Sequence, residues 1–175
     1  MIFDKPGRHN TQECLKIVHE HLKSSDIRHI VIATSTGETA LKLYELIRRP
    51  FIAVTYNAGF NIEYKKSFDD KIPELEKNGI RWIRCGHALS GAERSFATKY
   101  SGSYPVLIAA DIYRTICQGL KVGVEITLEA TDAGLIPHGE DVLAIGGSGR
   151  GCDTASIITS AFSHSLLQEL KVREI

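Results

Sequence analysis

The sequence predicts a three-layer α/β/α fold, doubly wound around a mostly parallel sheet of about five to six strands. Three observations carry that expectation. Short runs rich in β-branched residues alternate with segments of helical periodicity; several runs are continuously apolar, as strands covered on both faces are; and most end in a cluster of Gly, Ser, Thr or Asn. Right-handed crossovers in such a fold place every strand's C-terminal end on one edge of the sheet, where ligands bind.

Asn10-Thr11-Gln12-Glu13 has the pattern of an N-cap with a following Glu, opening an amphipathic helix with Leu15, Val18 and Leu22 on one face. His29 to Thr34 is the first strand, and Glu38 to Arg49 the next helix, closed by Pro50. Phe51 to Thr55 is the second strand, followed by a turn at Asn57-Ala58-Gly59. Asp69 to Gly79 is expected as a helix with an acidic start and a glycine stop, and Ile80 to Cys85 as the third strand. The stretch Gly86 to Tyr104 is too long for an unstructured connection, so it is functional, partly helical, or both. Pro105 to Cys117 is a helix with proline in its first turn.

Lys121 to Gly134 fits two periods. Val122, Val124, Ile126, Leu128 and Ala130 alternate like a strand, whereas Lys121, Glu125, Glu129 and Asp132 fall on one helical face. Length and the terminal Gly134-Leu135-Ile136-Pro137 favour the helix. Asp141 to Ile145 is the fourth strand, Thr154 to Ser160 a fifth, and Lys171 to Ile175 a candidate sixth.

At 175 residues the chain suits a single domain spanning residues 1–175. Its 21 basic side chains equal its 21 acidic ones, which removes any electrostatic reason to expect nucleic acid or an acidic membrane as partner. Cys14, Cys85, Cys117 and Cys152 are spaced too widely for a CxxC motif, and no His/Asp/Glu cluster has metal-ligand spacing. Free thiols, no secretory h-region at the N-terminus and no apolar stretch of membrane-spanning length together lead us to expect a cytoplasmic protein.

Two loops are suited to a phosphorylated small molecule. Thr34-Ser35-Thr36-Gly37-Glu38-Thr39 sets hydroxyls and a glycine at a helix start, where outward N–H groups and the positive end of the helix dipole favour an anion. Ser and Thr also cap helices without any ligand. Gly146-Gly147-Ser148-Gly149-Arg150-Gly151 puts four glycines beside an arginine whose planar charged fork suits phosphate. Such a run is costly unless a ligand or another backbone approaches closely; the alternative is a hairpin with a solvated arginine. Asp153 and Thr154 follow, able to accept from a ligand hydroxyl or to cap the turn. Thr55-Tyr56-Asn57 ends the second strand: Tyr56 can stack on a flat ring, and Asn57 either bonds that ring's edge or serves the turn. Gly86-His87 lies at the same predicted edge, with His87 a candidate acid, base or phosphate partner that has no carboxylate close in sequence.

Two of these stretches, HIVIATSTGETALKLYELIRRPFIAVTYN (29–57) and GEDVLAIGGSGRGCDTASIIT (139–159), resemble the C-terminal domain of pyruvate kinase. The intervening GHALSGAERS and ADIYRTICQGLKVGVEITLEATDAGLIP resemble a group of stand-alone, mostly archaeal proteins with a pyruvate kinase C-terminal-like domain. That resemblance implies an effector-type phosphate site on Thr34, Ser35, Thr36, Gly37 and Thr39, with Gly147 to Arg150 covering the ligand. It implies no kinase activity, which in that family resides in a separate barrel, and it implies flavin mononucleotide (FMN) as ligand. A flavin-dependent or phosphate-ester enzyme using His87, and a regulatory module sensing a sugar phosphate, stand as alternatives. A homo-oligomer would suit a family whose C-terminal domains make subunit contacts.

Overall fold

The computed structural model describes residues 3–175. Its strands are β1 (His29–Ala33), β2 (Ile52–Tyr56), β3 (Arg81–Cys85), β4 (Asp141–Gly146), β5 (Thr154–Thr159) and β6 (Lys171–Glu174). They form one sheet in the order β3-β2-β1-β4-β5-β6. The first four are mutually parallel, as predicted, while β5 runs antiparallel to both β4 and β6. The strand that breaks the rule does so for a local reason. Only residues 147–153 join β4 to β5, and a parallel return requires about a dozen residues or more. The expectation that every strand ends on one edge therefore fails at β5, which begins where β4 ends.

The helices are α1 (Thr11–Ser24), α2 (Glu38–Ile47), α3 (Ile62–Asp69), α4 (Ile72–Lys77), α5 (Gly91–Tyr100), α6 (Pro105–Ile116), α7 (Gln118–Asp132) and the short α8 (Leu166–Glu169). Alternation along β1 shows how they are divided. Ile30 and Ile32 pack with Leu15, Val18 and Leu43 in the α1/α2 layer, whereas Val31 faces Leu120, Val124 and Leu128 of α7. Burial on both sides explains why the strand is apolar at every central position.

α7 resolves the ambiguous segment as a helix. It lies against β4, β5 and β1 with most of its residues buried, so its apolar positions extend well beyond one stripe. Glycines permit that approach: a Cβ on Gly146 would lie 2.3 Å from the Gly119 carbonyl oxygen, and one on Gly119 would lie 2.1 Å from Thr154 Oγ1.

Two expected boundaries are corrected. The helix expected over Asp69 to Gly79 is the shorter α4, because Pro73 sits in its first turn and its ring is incompatible with a continuous helix through Asp69, and α3, which ends at Asp69, was not expected. Asn10 does not cap α1 through its side chain; it sits at the end of a 3-10 turn, and its Nδ2 donates to the Lys5 carbonyl at 2.6 Å. Within Gly86 to Tyr104 the structure forms α5. No helix among the described residues is long and apolar enough to cross a membrane.

Candidate functional site

The chain leaves β1 through α2 on one face of the sheet and reaches β4 from α7 on the other, so the crossovers diverge between β1 and β4. Above the C-terminal ends of the parallel strands lies a cavity of about 460 Å³. That is the place where this topology leaves a crevice.

One wall is the start of α2. Gly37 adopts φ 83°, a left-handed conformation that admits the chain to the helix, and its N–H donates to Thr34 Oγ1 at 3.0 Å. The Thr34 oxygen thereby serves its own turn as an acceptor. Ser35, Thr36, Glu38 and Thr39 line the cavity with Thr34, while Gly37 does not. Among the described residues, the hydroxyls of Ser35 and Thr36 make no hydrogen bond.

The opposing rim is the β4–β5 hairpin, from which Gly147, Gly149, Arg150 and Gly151 reach the cavity. Its glycines are explained mainly by close packing within the protein itself. A Cβ on Gly147 would lie 2.7 Å from the Gly151 carbonyl oxygen, and one on Gly151 would lie 2.1 Å from Thr11 Oγ1. Only Gly149, at φ 91° with open space around it, owes its identity to conformation alone. Arg150 spans the mouth: its Nε donates to the Tyr64 hydroxyl at 3.1 Å and its guanidinium lies over that ring at 5.2 Å.

Several predicted residues lie elsewhere. Asp153 accepts from the Gly7 and Ser148 amides at 2.7 and 3.2 Å and from the Thr154 hydroxyl at 3.0 Å, so it ties the hairpin together rather than meeting a ligand here. Asp153, Thr154 and Ser148 line a different hollow, beneath α1. Asn57 serves its turn, accepting from the Gly59 amide at 3.1 Å. Gly86 and Gly146 are likewise absent from the lining.

Thr55, Tyr56 and His87 do reach the cavity, on a wall that is mostly aromatic. Tyr56 stacks on Phe60 with ring centroids 4.3 Å apart, and His87 lies 5.5 Å from Tyr56 and 5.7 Å from Phe60.

The floor comes from α7, whose Lys121 and Glu125 are 3% and 1% exposed. Their side chains form an ion pair one helical turn apart, and Glu125 Oε2 also lies 3.3 Å from His87 Nδ1. The other Glu125 oxygen accepts from the Leu89 amide at 3.1 Å, and Glu129, one turn on, accepts from the Ala88 amide at 2.9 Å. Two carboxylates on successive turns therefore grip two successive amides just after His87. Burial acts to raise Glu125, but His87 and Lys121 outweigh it and hold the carboxyl below its ordinary range. Burial lowers Lys121 against the pull of Glu125. Burial pushes Glu129 up to about 7 despite the Ala88 amide and the more distant pull of His87. Burial, reinforced by Glu129, also pushes up the neighbouring Cys85 thiol.

A family model described as "Pyruvate kinase, alpha/beta domain" matches residues 12–158. The chain belongs to that family. In this pyruvate kinase alpha/beta domain the match runs from the start of α1 into β5, so it includes every residue that lines the cavity.

Lys121, Glu125, Glu129, Phe60, Tyr64, Arg94 and Arg114 line the cavity without having been singled out as site residues from sequence. A signal existed for the first three: charges at helical spacing inside an apolar segment. Their partners at His87, Ala88 and Leu89 lie 36 to 41 positions away, beyond any local pattern.

Proposed function

We propose that the cavity binds a phosphorylated small molecule, and that FMN is its ligand. The observation that supports this most directly is the meeting of two loops far apart in sequence, 34–39 and 147–151, on one cavity of about 460 Å³. That volume lies within the range of small-molecule sites, roughly 300–1,000 Å³.

The phosphate would sit on the α2 start, accepting from the hydroxyls of Ser35, Thr36 and Thr39 and from amides of the first turn. The helix dipole favours an anion there by about 0.3–1 kcal/mol, and each hydrogen bond to a charged group adds roughly 1.5–3 kcal/mol. Arg150 would turn from the Tyr64 hydroxyl to the phosphate. Glu38, on the same wall, opposes the anion and favours a ligand whose polar chain leads its charge past that carboxylate. The aromatic wall of Tyr56, Phe60 and His87 offers a surface for a flat ring.

Added FMN is expected to raise the melting temperature and to lose fluorescence on binding. Ser35→Ala combined with Thr36→Val should weaken binding at least tenfold, which corresponds to about 1.4 kcal/mol. Wild-type protein with neither response to FMN would overturn the flavin assignment. Fructose bisphosphate that displaced FMN from the same site would turn the reading towards a sugar-phosphate sensor.

A further inference from the structure

The cavity floor carries more than a binding surface requires. A ligand's phosphate needs the α2 start and Arg150; it has no use for an imidazole held from behind by a buried, ion-paired carboxylate. Glu125 is kept ionised by Lys121, so it only accepts, and His87 Nδ1 must be the donor across their 3.3 Å contact. In the neutral ring that fixes the tautomer and leaves Nε2 with its lone pair for whatever occupies the cavity, which His87 lines. The same carboxylate pins the Leu89 amide, and Glu129 pins that of Ala88, so both the ring and the backbone carrying it are held.

We propose that this floor is an acid–base active site: His87 exchanges a proton with the bound phosphorylated molecule, Glu125 is its positioning residue, and Glu129 is a second proton carrier. The inference rests on the phosphate half of the reading above and is independent of flavin. The substrate class is a phosphorylated compound with a C–H bond beside a carbonyl, its phosphate on the α2 start and its carbonyl end on the floor.

The choice of chemistry follows from what the floor offers. Its one thiol, Cys85, is pushed up by burial and by Glu129, so it is a poor nucleophile near neutrality. The remaining groups are proton carriers, and the two carboxyls are driven in opposite directions, Glu125 down and Glu129 up to about 7. Glu125 can therefore hold the imidazole as a carboxylate, while Glu129, raised towards neutrality beside that imidazole, can supply a proton. In the step, His87 Nε2 takes the proton from carbon and the C–H electron pair moves into the carbonyl. The carbonyl oxygen takes a proton from Glu129, giving an enediol. Reversal returns one proton to carbon and one to Glu129, so nothing is oxidised and no co-reactant is consumed.

Dihydroxyacetone phosphate in D₂O is the probe, with deuterium incorporation followed by NMR and inorganic phosphate as the binding control. Wild-type protein is expected to exchange the carbon-bound hydrogen faster than buffer, and phosphate should slow that exchange and raise the melting temperature. His87→Gln should lose about 100-fold or more of the exchange rate. Glu125→Gln should lose about tenfold, leave the half-saturating probe concentration unchanged, and move the rising limb of the pH profile to lower pH. A purely structural role would not shift that limb. Should Glu125→Gln fail to fold, His87→Gln decides the matter alone. Phosphate binding without exchange above buffer, or exchange unchanged in His87→Gln, overturns the acid–base centre and leaves the phosphate site standing. No effect of phosphate on melting removes the phosphate site and this inference with it.

Discussion

The rim and the floor of the cavity hold their polar groups in opposite ways. On the α2 side, hydroxyls and amides stand at the edge of the sheet, close to water, with Ser35 and Thr36 unengaged among the described residues. On the floor, Lys121 and Glu125 are almost fully buried and every charge is engaged. The rim can therefore lose a group at little cost to the fold, because water replaces what is removed. The floor has no water to substitute, so an unmatched charge there is expensive.

The sharpest way to break this contrast is Lys121→Met, which leaves Glu125 buried without its ammonium partner. A loss of about 3–5 kcal/mol is expected in denaturant unfolding, and Lys121→Met plus Glu125→Leu should recover only part of it, because the Leu89 amide loses its acceptor. A loss under about 1 kcal/mol in the single variant would show the floor to be as forgiving as the rim.

Next in size is a pH effect at Glu129. Its folded pKa, about 7, lies above the ordinary carboxyl value, so the unfolded chain releases this proton first as pH rises. The contribution is present below about 4.5 and is lost as pH rises through about 7, amounting to about 3 kcal/mol. Glu125, His87 and Cys85 face the same carboxyl and contribute to the curve. Glu129→Gln should flatten the stability profile between pH 4.5 and 7, where the wild type is expected to decline.

The hairpin separates backbone contact from conformation. Gly146→Ala drives a methyl into the Gly119 carbonyl and should cost about 1–3 kcal/mol or more. Gly149→Ala meets open space and carries only the positive-φ penalty, about 1 kcal/mol. Equal losses would contradict the assignment of most of these glycines to close packing.

The smallest expected effect on stability is at the rim. Arg150→Ala removes an exposed contact with Tyr64 and should change unfolding by no more than about 0.5 kcal/mol. It should nevertheless weaken phosphate or FMN binding several-fold, which isothermal calorimetry would measure.

The same contrast decides what could be seen in the sequence. Strands β1 to β4 and the α2 start are encoded by contiguous signals, an apolar run followed by hydroxyls and a glycine, and each was legible. The acidic start and glycine stop of Asp69 to Gly79 suggest one helix, and Pro73 is the residue within it that shortens that helix. The direction of β5 is encoded in the shortness of residues 147–153, a signal masked by the run of glycines, which has the composition of a ligand loop. Asp153 illustrates the limit: its partners include the Gly7 amide, 146 positions away, and no local pattern reveals that a buried carboxylate is already satisfied. The spacing of Lys121, Glu125 and Glu129 was visible, but its meaning depended on where α7 lands relative to His87.

Gly146 and Gly119 meet backbone to backbone, so the hairpin bearing Arg150 and the helix bearing Lys121 and Glu125 share a joint without a cushion of side chains. A shift of that helix along the sheet must carry the arginine with it. The mouth and the base of the cavity are thus parts of a single stiff frame, and a change in the shape of whatever is held at one end is felt mechanically at the other.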